Sequence, residues 1–230
     1  MIPTKVYYIC IDVLSVIVPF IFSFYPGLRF DKKWKYAFPA LIIPAIFFIL
    51  WDFGYTYLGV WGFNNRYLLG LQIFNLPIEE ILFFICIPYA CLFTYFALDK
   101  LTFKKYKPGT EKKLGYVFGI LCLILAIIYF HKLYTVATFT LLGGFLIYVG
   151  SKSTLSLSKF IKVYSLLLIP FFIVNGILTG SGLPEPIVWY NAKEQIGLRI
   201  LTIPIEDFFY GMLLILQTVY LFEYFQKKVK

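Results

Sequence analysis

Charged residues are scarce in this chain of 230 residues: Asp, Glu, Lys and Arg make up 14% of it, against roughly 25% in a soluble domain. With 60% hydrophobic residues and a mean hydropathy of +0.81, that shortage excludes an ordinary soluble globular fold. Histidine is scarcer still. His131 is the single one, at the end of an apolar stretch beside Lys132, so a histidine-built metal site has no second ligand and no Ser-His-Asp arrangement is visible. Cys10, Cys86, Cys91 and Cys122 lie inside apolar stretches without CxxC spacing and read as small core residues. A Walker motif, a GxGxxG after a strand and a DDxxD-like cluster for magnesium diphosphate are all missing, which removes the usual nucleotide, flavin and prenyl-diphosphate readings. Also missing are the ten-residue alternating strands of a membrane barrel.

Long apolar runs are what the chain does have. Crossing a bilayer as a helix takes about 20 mostly apolar residues. Seven stretches qualify, at about 6–25, 36–54, 71–98, 114–130, 133–150, 160–178 and 198–225. The first has no small-residue cleavage site and is read as a retained helix. The expected fold is therefore all-α: a polytopic membrane helix bundle of about seven transmembrane helices. The 21 Lys and Arg divide unevenly between the two sides of such a bundle. Sixteen fall on the side of the 1–2, 3–4 and 5–6 loops and the C-terminus, among them Lys104, Lys105, Lys107 and Lys230. Only Lys5, Arg66, Lys132, Lys193 and Arg199 fall on the other. That asymmetry predicts a cytoplasmic C-terminus and an external N-terminus. It also assigns the net charge of +9 to topology and anionic lipid, with no nucleic-acid partner.

A shift of 127 residues lays NNRYLLGLQIFNLPIEE (64–80) on NAKEQIGLRILTIPIED (191–207) in one unbroken register. A four-residue gap upstream then sets Asp52 opposite Asn175. Spans 1 to 3 thus repeat as spans 5 to 7, and the odd fourth span restores the orientation of the second copy. The organisation expected is a first repeat at 1–98, a linker with the fourth span at 99–132 and a second repeat at 133–230, two parallel three-helix repeats joined by an extra helix.

Each repeat carries an acidic pair, Glu79 with Glu80 and Glu206 with Asp207, inside its third apolar stretch. A carboxylate within the bilayer costs about 2.5–3.5 kcal/mol or more, so a duplicated pair points to function. Adjacent helical positions lie about 100° apart, letting one member face a cavity while the other meets a neighbouring helix. A neutral acid beside a carboxylate suits donating a proton at one step and accepting one at another. Glu79 and Glu206 take the lead in this reading, Glu80 and Asp207 following, with Tyr210 a possible hydrogen-bond partner of Glu206 one turn on. The plainer alternative is that the carboxylates only fasten the Asn64-Arg66 and Asn191-Lys193 loops to the bundle. Pro77 and Pro204 precede the acids by two residues; mid-helix they would kink the axis and open a pocket, in a first turn they would not. Asp52 and Asn175 read as supporting partners of the acids or as direct participants. Phe83, Phe84, Phe208, Phe209 and Tyr210 lie within a turn of the acids. Rings there stabilise a desolvated cation by about 2 kcal/mol, or simply pack helices.

The duplicated PIEE and PIED, the WGFN (61–64) and VWYN (188–191) loops and the WD and VN span ends together resemble the carotenoid-type integral-membrane lycopene cyclases. In that family the two repeats occur fused, as here, or as separate subunits of a heterodimer. The resemblance covers nearly the whole chain. It implies a cofactor-free, redox-neutral cyclisation of the ψ-ends of lycopene to β-rings, through γ- to β-carotene. It also implies lycopene and related carotenoids within the bilayer as partners, with other carotenoid-pathway enzymes alongside, in a bacterial cell membrane. Two other readings compete: a carotenoid hydratase, in which water traps the same cation, and a proton-coupled transporter, since repeats and intramembrane carboxylates mark those as well.

Overall fold

The computed structural model describes residues 4–101, 111–152 and 155–228. Seven helices account for most of them: α1 Tyr7–Phe22, α2 Trp34–Tyr57, α3 Ile78–Leu101, α4 Glu111–Ile128, α5 Leu133–Lys152, α6 Leu157–Leu178 and α7 Ile205–Lys228. Six, all but α4, are long and apolar enough to cross a membrane. α4 is a full-length helix of the expected bundle and misses that measure on composition alone. Glu111, Lys112 and Lys113 occupy the first turn of α4 and dilute its apolar run. Lys104, Lys105, Lys107 and Lys230, part of the charge asymmetry, lie outside the described residues.

The linker helix is held by close approach. A Cβ on Gly115 would come within 2.6 Å of the Leu146 carbonyl and 2.7 Å of Gly150 Cα, and one on Gly119 within 2.8 Å of the Gly143 carbonyl. Small residues let two membrane helices touch backbone to backbone, which is how α4 and α5 associate with no hydrophobic drive between them. Gly150→Leu should therefore pry them apart at a cost of about 1–3 kcal/mol, read as a lower melting temperature of the detergent-purified protein.

Two of the expected spans start later than the apolar pattern suggests. Residues 71–77 and 198–204 fold into two-stranded hairpins: β2 Gln72–Ile73 with β3 Leu76–Pro77, and β5 Arg199–Ile200 with β6 Ile203–Pro204. Pro77 and Pro204 close these hairpins directly ahead of α3 and α7 and kink nothing. The copies agree in detail: Phe74 and Leu201 both turn through positive φ, 54° and 58°, as do Gly70 and Gly197 at 89° and 91°. Apolar alternation over so few residues cannot be told from the start of a helix.

The repeats meet across a third strand pair that the sequence does not announce. β1 Trp61–Phe63 runs antiparallel to β4 Val188–Tyr190, with Trp61 opposite Tyr190 and Phe63 opposite Val188. Under the 127-residue shift Trp61 corresponds to Val188 and Phe63 to Tyr190, so the pairing is self-complementary, as a two-fold axis through the ribbon requires. A Cβ on Gly62, at its centre, would run into the Trp189 indole. Below the ribbon, symmetry breaks: α2 packs closely along α7, whereas its counterpart α6 touches α3 only sparsely.

Candidate active site

Where α6 stands off from α3, a cavity of about 480 Å³ opens, lined from α1, α3, α6 and α7 with β1, β4 and Tyr134 above. Its volume lies in the range of about 300–1,000 Å³ usual for small-molecule sites. The walls run along α3 from Glu80 to Thr94, about 20 Å at helical rise. Leu14 of α1 and Ile173 of α6 line the cavity while remaining 70% and 62% exposed. The cavity thus opens sideways between those helices, at the depth of the lipid-facing surface. It is a composite of both repeats, built from spans 1 and 3 with 6 and 7, and on the other side of the bundle α2 packs on α7.

Both acidic pairs sit in the first turn of their helices, α3 and α7, and not mid-span. Four amides there lack intrahelical acceptors, and their partial positive charge reduces the cost of a buried carboxylate. Within each pair the members turn to different tasks. Glu80 and Asp207 line the cavity. Glu79 and Glu206 are fully buried and absent from its lining. Their Oε1 atoms accept the amides of Leu69 and Ile196, each at 2.6 Å, equivalent positions of the two loops. Glu206 accepts Thr135 Oγ1 as well at 2.7 Å, where the sequence suggested Tyr210. The second oxygen of each glutamate is buried without a hydrogen-bond partner.

The cavity-facing acids are not alike. Asp207 accepts three hydrogen bonds: Tyr134 Oη at 2.7 Å, Asn175 Nδ2 at 2.7 Å and Tyr190 Oη at 2.9 Å. Glu80 accepts one, from the Tyr8 hydroxyl. The cause is a set of substitutions between the repeats: Phe63 replaces Tyr190 and Asp52 replaces Asn175 in the first copy. Burial, with the Asp207 carboxylate alongside, pushes the Tyr190 phenol well above its ordinary range and keeps it a donor.

Of the other expected residues, Asn175, Phe83 and Tyr210 reach the cavity. Asp52 lies behind it, 1% exposed, with Oδ1 accepting Trp61 Nε1 and Thr56 Oγ1. Phe84 packs on Phe48, Phe208 on Phe171 and Phe172, and Phe209 on Phe139. Asn64 and Asn191 cap short 3₁₀ turns by accepting the Arg66 and Lys193 amides at 3.1 and 3.0 Å. Arg66 pairs loosely with Glu185 at 3.9 Å, and none of these four loop residues lines the cavity. Among the described residues no His, Cys, Asp and Glu group is placed to hold a metal.

Sequence reasoning passed over Tyr8, Asp12, Trp61, Tyr134 and Tyr190. Trp61 and Tyr190 stand in the two loop motifs, and Tyr7-Tyr8 aligns with Tyr134-Thr135 under the same shift. A search of the repeat for hydroxyls, not only for acids, finds the donors. Asp12, fully buried in α1 with neither oxygen bonded, has Phe139 as its counterpart and no repeat signal.

No curated protein and no solved structure matches the chain. The sequence model of one family, described as lycopene cyclase, matches it over two segments, 5–98 and 131–225. Each segment runs from the helix that supplies hydroxyls to the acids, α1 or α5, through the helix that carries them, α3 or α7. The cavity is built from both segments at once, and the chain belongs to the lycopene cyclase family as a fused two-repeat membrane protein.

Proposed function

We propose that the protein is a lycopene β-cyclase that closes both ends of lycopene, one at a time, in a single cavity. The observation that carries this reading is the unequal pair of carboxyls in one apolar chamber. Asp207 has three donors, a set that suits an anion, while Glu80 has one and suits a neutral acid. Glu80 gives its proton to the terminal double bond of a ψ-end, leaving a tertiary cation. The neighbouring internal double bond attacks it, closing the six-membered ring and moving the positive charge onto the ring. Loss of an adjacent ring proton to Asp207 forms the β-ring double bond. One proton enters and one leaves, so the carbon skeleton is rearranged without net oxidation, and no cofactor is required. Trp61, Phe83, Tyr134 and Tyr210 present rings to the charge as it moves. An apolar chamber keeps water from trapping the cation, the outcome that would make the enzyme a hydratase.

Glu79 and Glu206 act on the reaction through the loops they hold. Substrate enters from lipid through the gap beside Leu14 and Ile173. The protein sits in the bacterial cell membrane with its C-terminus cytoplasmic, which puts the acids in the outer half of the bilayer. A reporter fused after Lys230 should read as cytoplasmic and one in the 65–70 loop as external; the opposite pattern refutes the orientation.

Expression in a lycopene-accumulating bacterium, with pigments resolved by chromatography, tests the activity directly. β-Carotene is the expected product. Hydroxylated acyclic carotenoids would support the hydratase, and unaltered lycopene from protein present in the membrane would return the transporter to consideration.

A further inference from the structure

The two repeats differ at one buried position behind the acids in a way that bears on where the proton is kept. In the second repeat the amide Nδ2 of Asn175 donates to Asp207 Oδ2 at 2.7 Å. Asp52 holds the same place in the first repeat. Its Oδ1 accepts Trp61 Nε1 and Thr56 Oγ1, yet its Oδ2 is buried with no partner. A carboxyl oxygen standing where its counterpart is an N–H donor is satisfied if it carries a proton, because O–H then does what N–H does in the other copy. Asp52 is also the foremost of the charged neighbours of Glu80, ahead of Asp12 and Asp207. Of the phenols around the cavity, Tyr8 donates to Glu80.

We infer that Asp52 and Glu80 form a dyad that shares a proton, and that Asp52 is the positioning residue that keeps Glu80 loaded as the acid. Two carboxylates held together in a dry site cannot both be ionised at little cost, so one proton stays with the pair. With Glu80 protonated, Trp61 and Thr56 hold the charge on Asp52. After Glu80 gives up its proton, a proton must return to the dyad before the next ring, and the base-side proton on Asp207 balances it. Asn175 cannot titrate, which leaves its partner an anion. An Asp in one repeat and an Asn in the other thus divide two copies of one motif into acid and base. This rests on the cyclase reading for its catalytic part; the shared proton itself does not.

Asp52→Asn makes the first repeat resemble the second, which folds with Asn at this place, so the variant should accumulate in the membrane. Its amide would donate to Glu80 and hold it as an anion. The purified wild-type protein should show in the infrared a protonated-carboxyl carbonyl stretch that shifts in D₂O. In Asp52→Asn one component of that band should disappear, leaving whatever Asp12, Glu79 and Glu206 contribute through their own unpartnered oxygens, and ring formation should fall at least tenfold; Asp52→Glu should restore both in part. Asn175→Asp should add a further such component and also lower ring formation. An unchanged band in Asp52→Asn, or near-wild-type ring formation by it, overturns the dyad. Should Asp52→Asn fail to accumulate, Asn175→Asp decides: no new component overturns the inference. If the wild-type protein forms no rings at all, the cyclase reading falls, while the band and the loss of that component still test the shared proton.

Discussion

Glu80→Gln and Asp207→Asn should each leave lycopene unconverted, with neither γ- nor β-carotene, in cells where the variant protein reaches wild-type levels. Both substitutions keep shape and some hydrogen bonding, so a loss reports on chemistry more than on folding. Gln at position 80 has no proton acidic enough to give an alkene; general acid catalysis of this kind contributes about 10²–10⁴-fold, and an unassisted alkene protonation has no other donor in the cavity of comparable strength. Asn at position 207 keeps no charge against the cation and takes no proton from the ring. Removing a preorganised electrostatic partner costs about 10²–10³-fold. The pattern of products matters as much as the amount. One chamber built by both repeats implies that either loss stops the first ring as well as the second. Steady γ-carotene from one variant would mean that each acid serves its own end of the substrate, and the single composite site would be wrong. Glu79→Gln and Glu206→Gln offer the contrast, since a glutamine Oε1 still accepts the Leu69 or Ile196 amide. Each should retain far more activity than its neighbour's variant.

Much of this architecture is legible in sequence because its signals are long or duplicated. Six of the seven helices are apolar over enough residues to be read one by one, and the repeat is carried by a single register through 64–80 and 191–207. The same repeat hides what matters most at the site. A motif that occurs twice invites two equal roles, whereas the function proposed lives in the differences: Phe63 against Tyr190, Asp52 against Asn175 and Phe84 against Gly211. Sequence favoured Glu79 and Glu206, the identical pair, over Glu80 and Asp207. The structure turns the identical pair towards identical loop amides and gives the unlike pair to the cavity. That choice depends on where the helix begins. With residues 71–77 and 198–204 folded as hairpins, the acids occupy a first turn, and no periodicity within the apolar run marks that boundary. Contacts made by Tyr8, Tyr134 and Tyr190 across 72, 73 and 17 residues of sequence are set by tertiary packing and have no local signature.

Gly211 gives the second large effect. It lies one turn beyond Asp207 on α7 and lines the cavity, so its missing side chain leaves room beside the base. A glycine inside a helix costs about 1 kcal/mol relative to alanine, which asks for a reason at this position. A Cβ would meet Tyr164 Oη at 3.3 Å and Phe171 at 3.7 Å, tight but tolerable contacts. Gly211→Ala should therefore fold well, gain helix propensity and keep most of its activity. A side chain longer than that can only grow into the chamber, where the new ring must form against Asp207. Gly211→Phe should abolish both cyclic products while the protein still accumulates, and Gly211→Leu should fall between. The first repeat sharpens the point, because Phe84 stands at the equivalent place, packed on Phe48 and 1% exposed. There the ring is accommodated by the close side of the bundle, where α2 seals what α6 leaves open in the other copy. If Gly211→Phe makes β-carotene at the wild-type rate, the ring-forming end of the substrate does not lie beside Asp207, and the assignment of that carboxylate as the base fails with it.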